Sequence, residues 1–461
     1  MRQTNLRQTV DPSASSSSTE TNPPTRRKDR FPLRLSEKTI GYLFVLPTIL
    51  LIAAIAIWPV VRSFWLSLYD IRLNDPAKTA IHRTYGLDME VYAGKYPLLL
   101  RALDREIKQA DAPTKTSLAQ AKDRLESLHD ELMKDEDFAE RWEEVNRLLD
   151  AFQPVPPNLK TVDLDRDEAE RVKATLRDVE KTLAQIDPAK LQRPNDVTGL
   201  LSGISGALIE PNFVGFAHYT RFLHEPRLWM ALWNTTVFTV VSVSLELVLG
   251  LGIALLINRS FKGRGLVRAA VLIPWAIPTV ISALMWKFLY DGQNGIVAKL
   301  FAEIGIIDNM ATLLTTKWGA MFAVIFADVW KTTPFMALLL LAGLQTIPQS
   351  LYEAAEVDGA SRIQQFFRIT LPLLKPTILV ALLFRTLDAF RVFDLIYVLT
   401  GGGPANSTET ISIYAYKTMF AQLNFGAGSA LSVIVFLCVA LISIFYIKLL
   451  GANVLGEEKA R

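Results

Sequence analysis

Arg385, Asp388, Arg391 and Asp394 recur every three residues inside a stretch, 377–399, that is otherwise apolar. Asp328 and Lys331 show the same spacing in another apolar stretch, and Glu246 stands alone in a third. Residues three apart on a helix are neighbours on one face, so alternating signs can neutralise one another. An ionised group at mid-bilayer costs about 2.5–3.5 kcal/mol, which keeps such groups away from lipid. Two chemistries fit. One is a structural ladder that locks helices together; the other is a polar path on which the hydroxyls of a passing solute meet charge-assisted hydrogen bonds. Aromatic rings nearby (Trp330, Phe335, Phe390, Phe393) could stack on a ring-shaped solute, or simply pack. Covalent and metal chemistry find no support. A single cysteine, Cys438, lies in an apolar run, which excludes a disulfide framework and a thiolate zinc site. His82, His129, His218 and His224 have no metal-ligand spacing, and no Ser-His-Asp grouping is present. The nearest approach to a phosphate-cradling glycine loop, 451–456, runs into Glu457 and Glu458, the wrong charge for a phosphate. We therefore expect no catalytic residue, no metal and no cofactor held by this chain.

The elements that must position these groups are legible from hydropathy. The chain has 461 residues, 50% of them hydrophobic, and a formal net charge of +3. Six apolar stretches stand out: 40–61, 232–258, 269–290 (with Pro274, Pro278 and Lys287), 319–344, 377–399 and 428–447. About 20 apolar residues cross the ~30 Å hydrocarbon core as a helix, so the expected fold is an all-α integral membrane protein with six transmembrane helices. The small net charge gives no nucleic-acid footprint. Lys and Arg crowd the tail (Arg26, Arg27, Lys28, Arg30, Arg34, Lys38), the loop after the second span (Arg259, Lys262, Arg264, Arg268) and the loop after the fourth (Arg362, Arg368, Lys375). The opposite short loops hold only Lys299, Lys317 and Lys417, which predicts both termini cytoplasmic and residues 75–210 extracytoplasmic. Ala54-Ile55-Ala56 looks like a signal cleavage site, but its lead-in is too long and the apolar run continues past it, so the segment is expected to stay.

The expected division is a disordered cytoplasmic tail over 1–38, a first transmembrane segment over 39–74, an extracytoplasmic helical domain over 75–210, a five-span core over 211–450 and a cytoplasmic tail over 451–461. The 75–210 domain reads as helical because Leu118, Ala121, Leu125, Leu128 and Leu132 repeat at three and four residues. Phe138, Trp142, Val145 and Leu149 do the same, as do Val172, Leu176, Val179 and Leu183. A small antiparallel helical domain or a coiled-coil hairpin is expected, either merely structural or a docking surface.

The loop over 345–372 carries the most specific pattern. Glu353, Ala354 and Ala355 are followed by Asp358, Gly359 and, nine residues on, Ile369, Leu371 and Pro372: EAA-x3-G-x9-I-x-LP with every fixed position filled. Residues 353–358 can form one and a half helical turns whose alanines offer a flat face to another protein. Gly359 permits a tight turn, and Pro372 and Pro376 are expected at the start of the fifth helix, where proline costs least.

With this loop the chain resembles the membrane subunits of binding-protein-dependent ABC importers, in the carbohydrate-uptake group and near the larger permease subunit of the maltose type. Residues 272–278, 358–360, 399–404 and 213–215 carry the same likeness. It covers the first span and 211–450, not the tail or the 75–210 domain. The resemblance implies the type I ABC importer permease fold and a function as half of the translocation pathway for a sugar or oligosaccharide. It implies a second permease subunit, two ATPase subunits that use ATP and magnesium, and an extracytoplasmic sugar-binding protein, all in the bacterial cell (inner) membrane. Glu353, Ala354, Ala355, Asp358, Gly359, Leu371 and Pro372 would couple to the ATPase. Matched substrate-path positions are Asp328, Lys331, Thr332, Phe335, Arg385, Ala389 and Val392, and the charge pattern adds Asp388 and Arg391 to the expected path. Charges stand here where amides or small polar groups are expected in that type, so a maltose-like substrate does not follow. A proton- or ion-coupled carrier is the other class that intramembrane charges suggest, though no inverted repeat is visible. A membrane scaffold whose external domain is the working part is a third.

Overall fold

A computed structural model describes residues 37–458. The expected disorder of the tail before them lies outside the described residues. Two compact units divide between Trp58 and Pro59. In the first, α1 (Glu37–Ile52) passes into a π turn, Ala53–Ile57, closed by the Trp58 N–H donating to the Ala53 carbonyl. Pro59 follows, with no N–H to continue the ordinary ladder. Helix α2 spans Trp58–Leu66.

The second unit holds everything from Pro59 onward, including the 75–210 segment. That segment contains α3 (Met89–Gln109), α4 (Ala112–Leu132), α5 (Glu136–Asp150), α6 (Arg166–Ala184) and α7 (Pro194–Ser205). Aspartates start four of them. Asp88, Asp111 and Asp135 accept from the backbone N–H three residues on, at 2.9–3.1 Å, and Asp165 forms a capping box with Glu168. The periodic leucines and valines of α4 and α6 are buried, with Phe138 and Val145 of α5. Tyr96 stacks on His129 at 4.4 Å, and His129 meets Trp142 at 4.5 Å. This is not a coiled-coil hairpin. The helices wrap one core, and a small antiparallel sheet joins them: β1 (Tyr85–Asp88) lies between β2 (Thr161–Leu164) and β3 (Leu208–Ile209). Leu87, paired with Val162 and Leu208, is fully buried beneath the helices.

After α8 (Ala217–His224) comes the membrane core. Helix α9 (Pro226–Asn258) packs along α14 (Lys317–Leu344), and Gly250 makes the approach close: a Cβ there would sit 3.0 Å from Met336 Cβ. Between them, α10 (Arg264–Ala276) and α11 (Thr279–Leu289) meet at a 90° bend, and α12 (Ile296–Glu303) and α13 (Thr312–Thr315) lead into α14. Helix α15 (Gln349–Val357) is followed by α16 (Arg362–Gln365), a π turn (Phe366–Thr370) and α17 (Leu371–Phe390), which together form one span, Arg362–Phe390. Short helices α18 (Asp394–Leu399) and α19 (Ile411–Tyr416) precede α20 (Phe425–Glu458). Among the described residues five helices are long and apolar enough to cross a membrane, and the bent α10–α11 pair, counted as one broken span, makes a sixth.

Two boundaries differ from expectation. The fifth span was expected over 377–399 but runs Arg362–Phe390, so Arg391 and Asp394 fall beyond its end. Pro372 keeps a first-turn position in α17, whereas Pro376 lies inside the helix. Helix α20 continues to Glu458, through most of the expected 451–461 tail.

Candidate functional site

Three transmembrane helices meet at one guanidinium. Arg385 of α17 donates to both carboxylate oxygens of Glu246 on α9, with Nη2 at 2.9 Å from Oε1. The same nitrogen contacts Asp328 on α14, and Nη1 reaches Asp388 Oδ2 at 3.4 Å. Glu246 is 0% exposed and Arg385 2%. Buried charges survive when opposite charges and hydrogen bonds replace water, and the planar fork of arginine suits two carboxylates at once. Asp388 also meets Arg391 Nη2 at 3.5 Å. The local ladder expected along the fifth span therefore exists only in part, and its main partners come from other helices.

Asp328 and Lys331 do not pair with each other. Asp328 turns to Arg385, and Lys331 Nζ donates to the Ile277 carbonyl at 2.6 Å. That carbonyl belongs to the bend between α10 and α11, where Pro278 has no N–H and the ladder is broken. A cation from α14 thus satisfies a backbone acceptor left over by the broken span.

Around these groups lies a cavity of about 520 Å3. Asp328, Lys331, Thr332, Arg385, Asp388, Arg391 and Val392 line it, together with Trp275–Thr279 of the bend and Phe393 to Leu395. Of the ion-paired groups in its lining, Arg385 is enclosed whereas Asp388 and Arg391 are exposed. Two expected positions stand elsewhere: Phe335 stacks on Trp275 at 5.9 Å, and Ala389 is buried in the helix packing. Sequence reasoning missed the bend as a wall, although its two prolines signalled a break. A larger apolar groove, about 740 Å3, runs between α9, α10 and α14, but its lining offers no charged side chain for a polar solute.

The chain over 400–410, tied to the cavity wall where Thr410 Oγ1 donates to the Val392 carbonyl at 3.4 Å, is held by a second node. Glu409, 1% exposed, accepts from Arg227 Nε and Nη2 at 2.8 and 3.0 Å and from Lys417 Nζ at 2.9 Å. Burial alone would raise its carboxyl, yet the hydrogen bonds from Arg227 and Lys417 win and hold it below its usual value. Asn234 of α9 adds two bonds of 3.1 Å to the Asn406 and Glu409 carbonyls.

The loop with the EAA pattern forms a separate surface feature. Glu353 and Ala354 lie exposed on α15, Ala355 is half-buried, and Asp358 caps the helix end. Gly359 follows at φ +76°, a left-handed conformation that explains glycine there. Val357 and Ile363 are among the most exposed large apolar side chains of the core, which leaves this end of the chain with an unburied apolar surface beside a carboxylate. Leu371 is half-buried and its N–H donates to the Phe366 carbonyl, five residues back, while Pro372 is exposed and has no N–H to donate.

Known proteins resemble this chain over the membrane core. Residues 246–454 match the family described as binding-protein-dependent transport system inner membrane component. The trehalose/maltose transport system permease protein MalF of Thermococcus litoralis is 51% identical over 239 residues, 52% of this chain and 80% of that protein. The trehalose transport system permease protein SugA of Mycobacterium tuberculosis is 47% identical over 254 residues, 54% of this chain and 80% of that protein. A chain of a solved bacterial ABC transporter that imports the acidic polysaccharide alginate is 27% identical, with a TM-score of 0.47, covering 52% of this chain and 84% of that chain.

Proposed function

The chain belongs to the family of binding-protein-dependent transport system inner membrane components, and on that premise we propose that it forms half of the pathway of an ATP-driven sugar or oligosaccharide importer. The observation that carries the reading is the 51% identity over 239 residues to a trehalose/maltose permease, beside a family match over 246–454 that contains every residue lining the charged cavity. The cavity's chemistry supports it. Asp328, Asp388 and Asp394 line the cavity against Lys331, Arg385 and Arg391, so its charges cancel while donors and acceptors abound. Such a surface has little net field to draw an ion and many partners for a neutral polyhydroxylated solute.

In this reading a second permease subunit completes the pathway, and an external binding protein delivers the sugar. Two ATPase subunits, which use ATP and magnesium, receive α15 with Glu353 as its anionic contact. Both termini are cytoplasmic and residues 75–210 extracytoplasmic. The pathway alternates between two states whose balance ATP and the loaded binding protein shift.

The test is uptake of labelled trehalose or maltose into proteoliposomes holding the chain purified with its companions. ATP-dependent uptake that Glu353→Ala strongly reduces is expected. Uptake that ignores Glu353→Ala and collapses with a protonophore at constant ATP would instead make the protein an ion-coupled carrier.

A further inference from the structure

Phe393 lines the charged cavity and also a second cavity of about 300 Å3, a size at the lower end for small-molecule sites. Aromatic rings continue from it in unbroken contact. Phe393 stacks on Tyr397 at 5.1 Å and meets Tyr416 at 4.9 Å; Tyr416 lies 5.0 Å from Phe420, and Phe420 5.7 Å from Phe425. Aromatic rings on a span usually pack or face lipid, but these border a cavity that also carries hydroxyls. Here Phe420 is 51% exposed and Tyr397 40%. Ser412 and Ser432 stand on the same wall, the Ser432 hydroxyl donating to the Gly428 carbonyl at 3.0 Å and left to accept, and no charged side chain lines it.

Ring faces beside neutral hydroxyls suit one kind of solute: a flat C–H face rimmed with hydroxyl groups. We infer that this cavity is a second sugar subsite, where a pyranose ring stacks on Tyr416 and Phe420 and is passed across Phe393 to the charged cavity. A lipid chain would use the rings but not the hydroxyls, and an ion would find no countercharge. The inference rests on the sugar-import reading and adds to it a place and a mode of binding outside the charged groups.

The chain has one cysteine, Cys438, which makes the site open to thiol chemistry. In the complete transporter, with Cys438→Ala as background, Phe420→Cys is labelled with a maleimide in the presence of trehalose or of mannitol, an acyclic polyol. Trehalose is expected to slow labelling and mannitol at equal concentration is not. In uptake assays Tyr416→Leu is expected to raise KM about tenfold, the scale of one aromatic contact, while Tyr416→Phe stays near the parent. Labelling indifferent to trehalose together with a parental KM for Tyr416→Leu would overturn the subsite while leaving sugar import intact. Labelling that follows the lipid acyl chains instead would make it a lipid groove and overturn it too. A parent transporter that imports no sugar would remove both readings at once.

Discussion

The 75–210 segment and the membrane core are built from the same ingredients turned inside out. In the segment, Leu118, Leu125, Val172 and Val179 are buried, and charged groups meet at the surface, as Lys122 meets Asp104 at 2.7 Å. In the core, Leu249, Phe288 and Leu441 face outward, and Glu246, Asp328 and Arg385 are enclosed. The medium decides. Water rewards burying apolar area and makes an exposed ion pair worth little, about 0–1 kcal/mol. Lipid leaves apolar surface indifferent and makes an unpaired charge costly, so polar groups converge inward. An ion pair's worth is therefore set by its surroundings and not by its geometry.

Arg385→Met puts the contrast between the two media to its most severe test. It leaves two enclosed carboxylates without a partner, and a loss of about 3–5 kcal/mol is expected, read as a large drop in the melting temperature of the purified complex. A change no larger than that of an exposed pair would mean the cluster is well hydrated and the contrast false. Next comes Leu125→Ala, expected to cost the 75–210 segment about 2–5 kcal/mol by cavity formation. Limited proteolysis should show faster cleavage within 75–210 while the spans stay protected; equal loss in both would mean the two regions stabilise one another. The smallest effect concerns Glu409, a buried carboxylate outside the spans. Its folded value is depressed, so its contribution is present above the unfolded value near about pH 4.3 and is lost as pH falls through the folded one. Thermal melts between neutral pH and about pH 3 should show a shallower acid loss for Glu409→Gln than for the parent.

The spans were legible because apolar runs long enough to cross a bilayer have few other uses, and α4 and α6 because their leucines and valines keep helical spacing. What the spacing could not show was which charges would meet. Arg385 and Asp388, three residues apart, do touch, yet the closer partners are Glu246 and Asp328, from helices 139 and 57 residues away in sequence. Spacing describes one helix, and a low dielectric gathers charge across several. The stop at Phe390 was hidden for a related reason: the apolar run continues to residue 399 with no glycine or proline between, although α17 ends at Phe390 and α18 begins at Asp394. The sheet escaped notice since strands of two to four residues are too short to display alternation.

The π turn at Phe366–Thr370 has a geometric effect of its own. Such a turn inserts one residue into a helix, and each residue of an α-helix advances about 100° around the axis. Every side chain from Leu371 onward therefore points about a quarter-turn away from where an uninterrupted helix begun at Arg362 would aim it. The two ends of one span are thereby uncoupled in azimuth: the face that the Arg362 end offers to a neighbour and the face on which Arg385 meets its carboxylates are set independently, by a single extra residue.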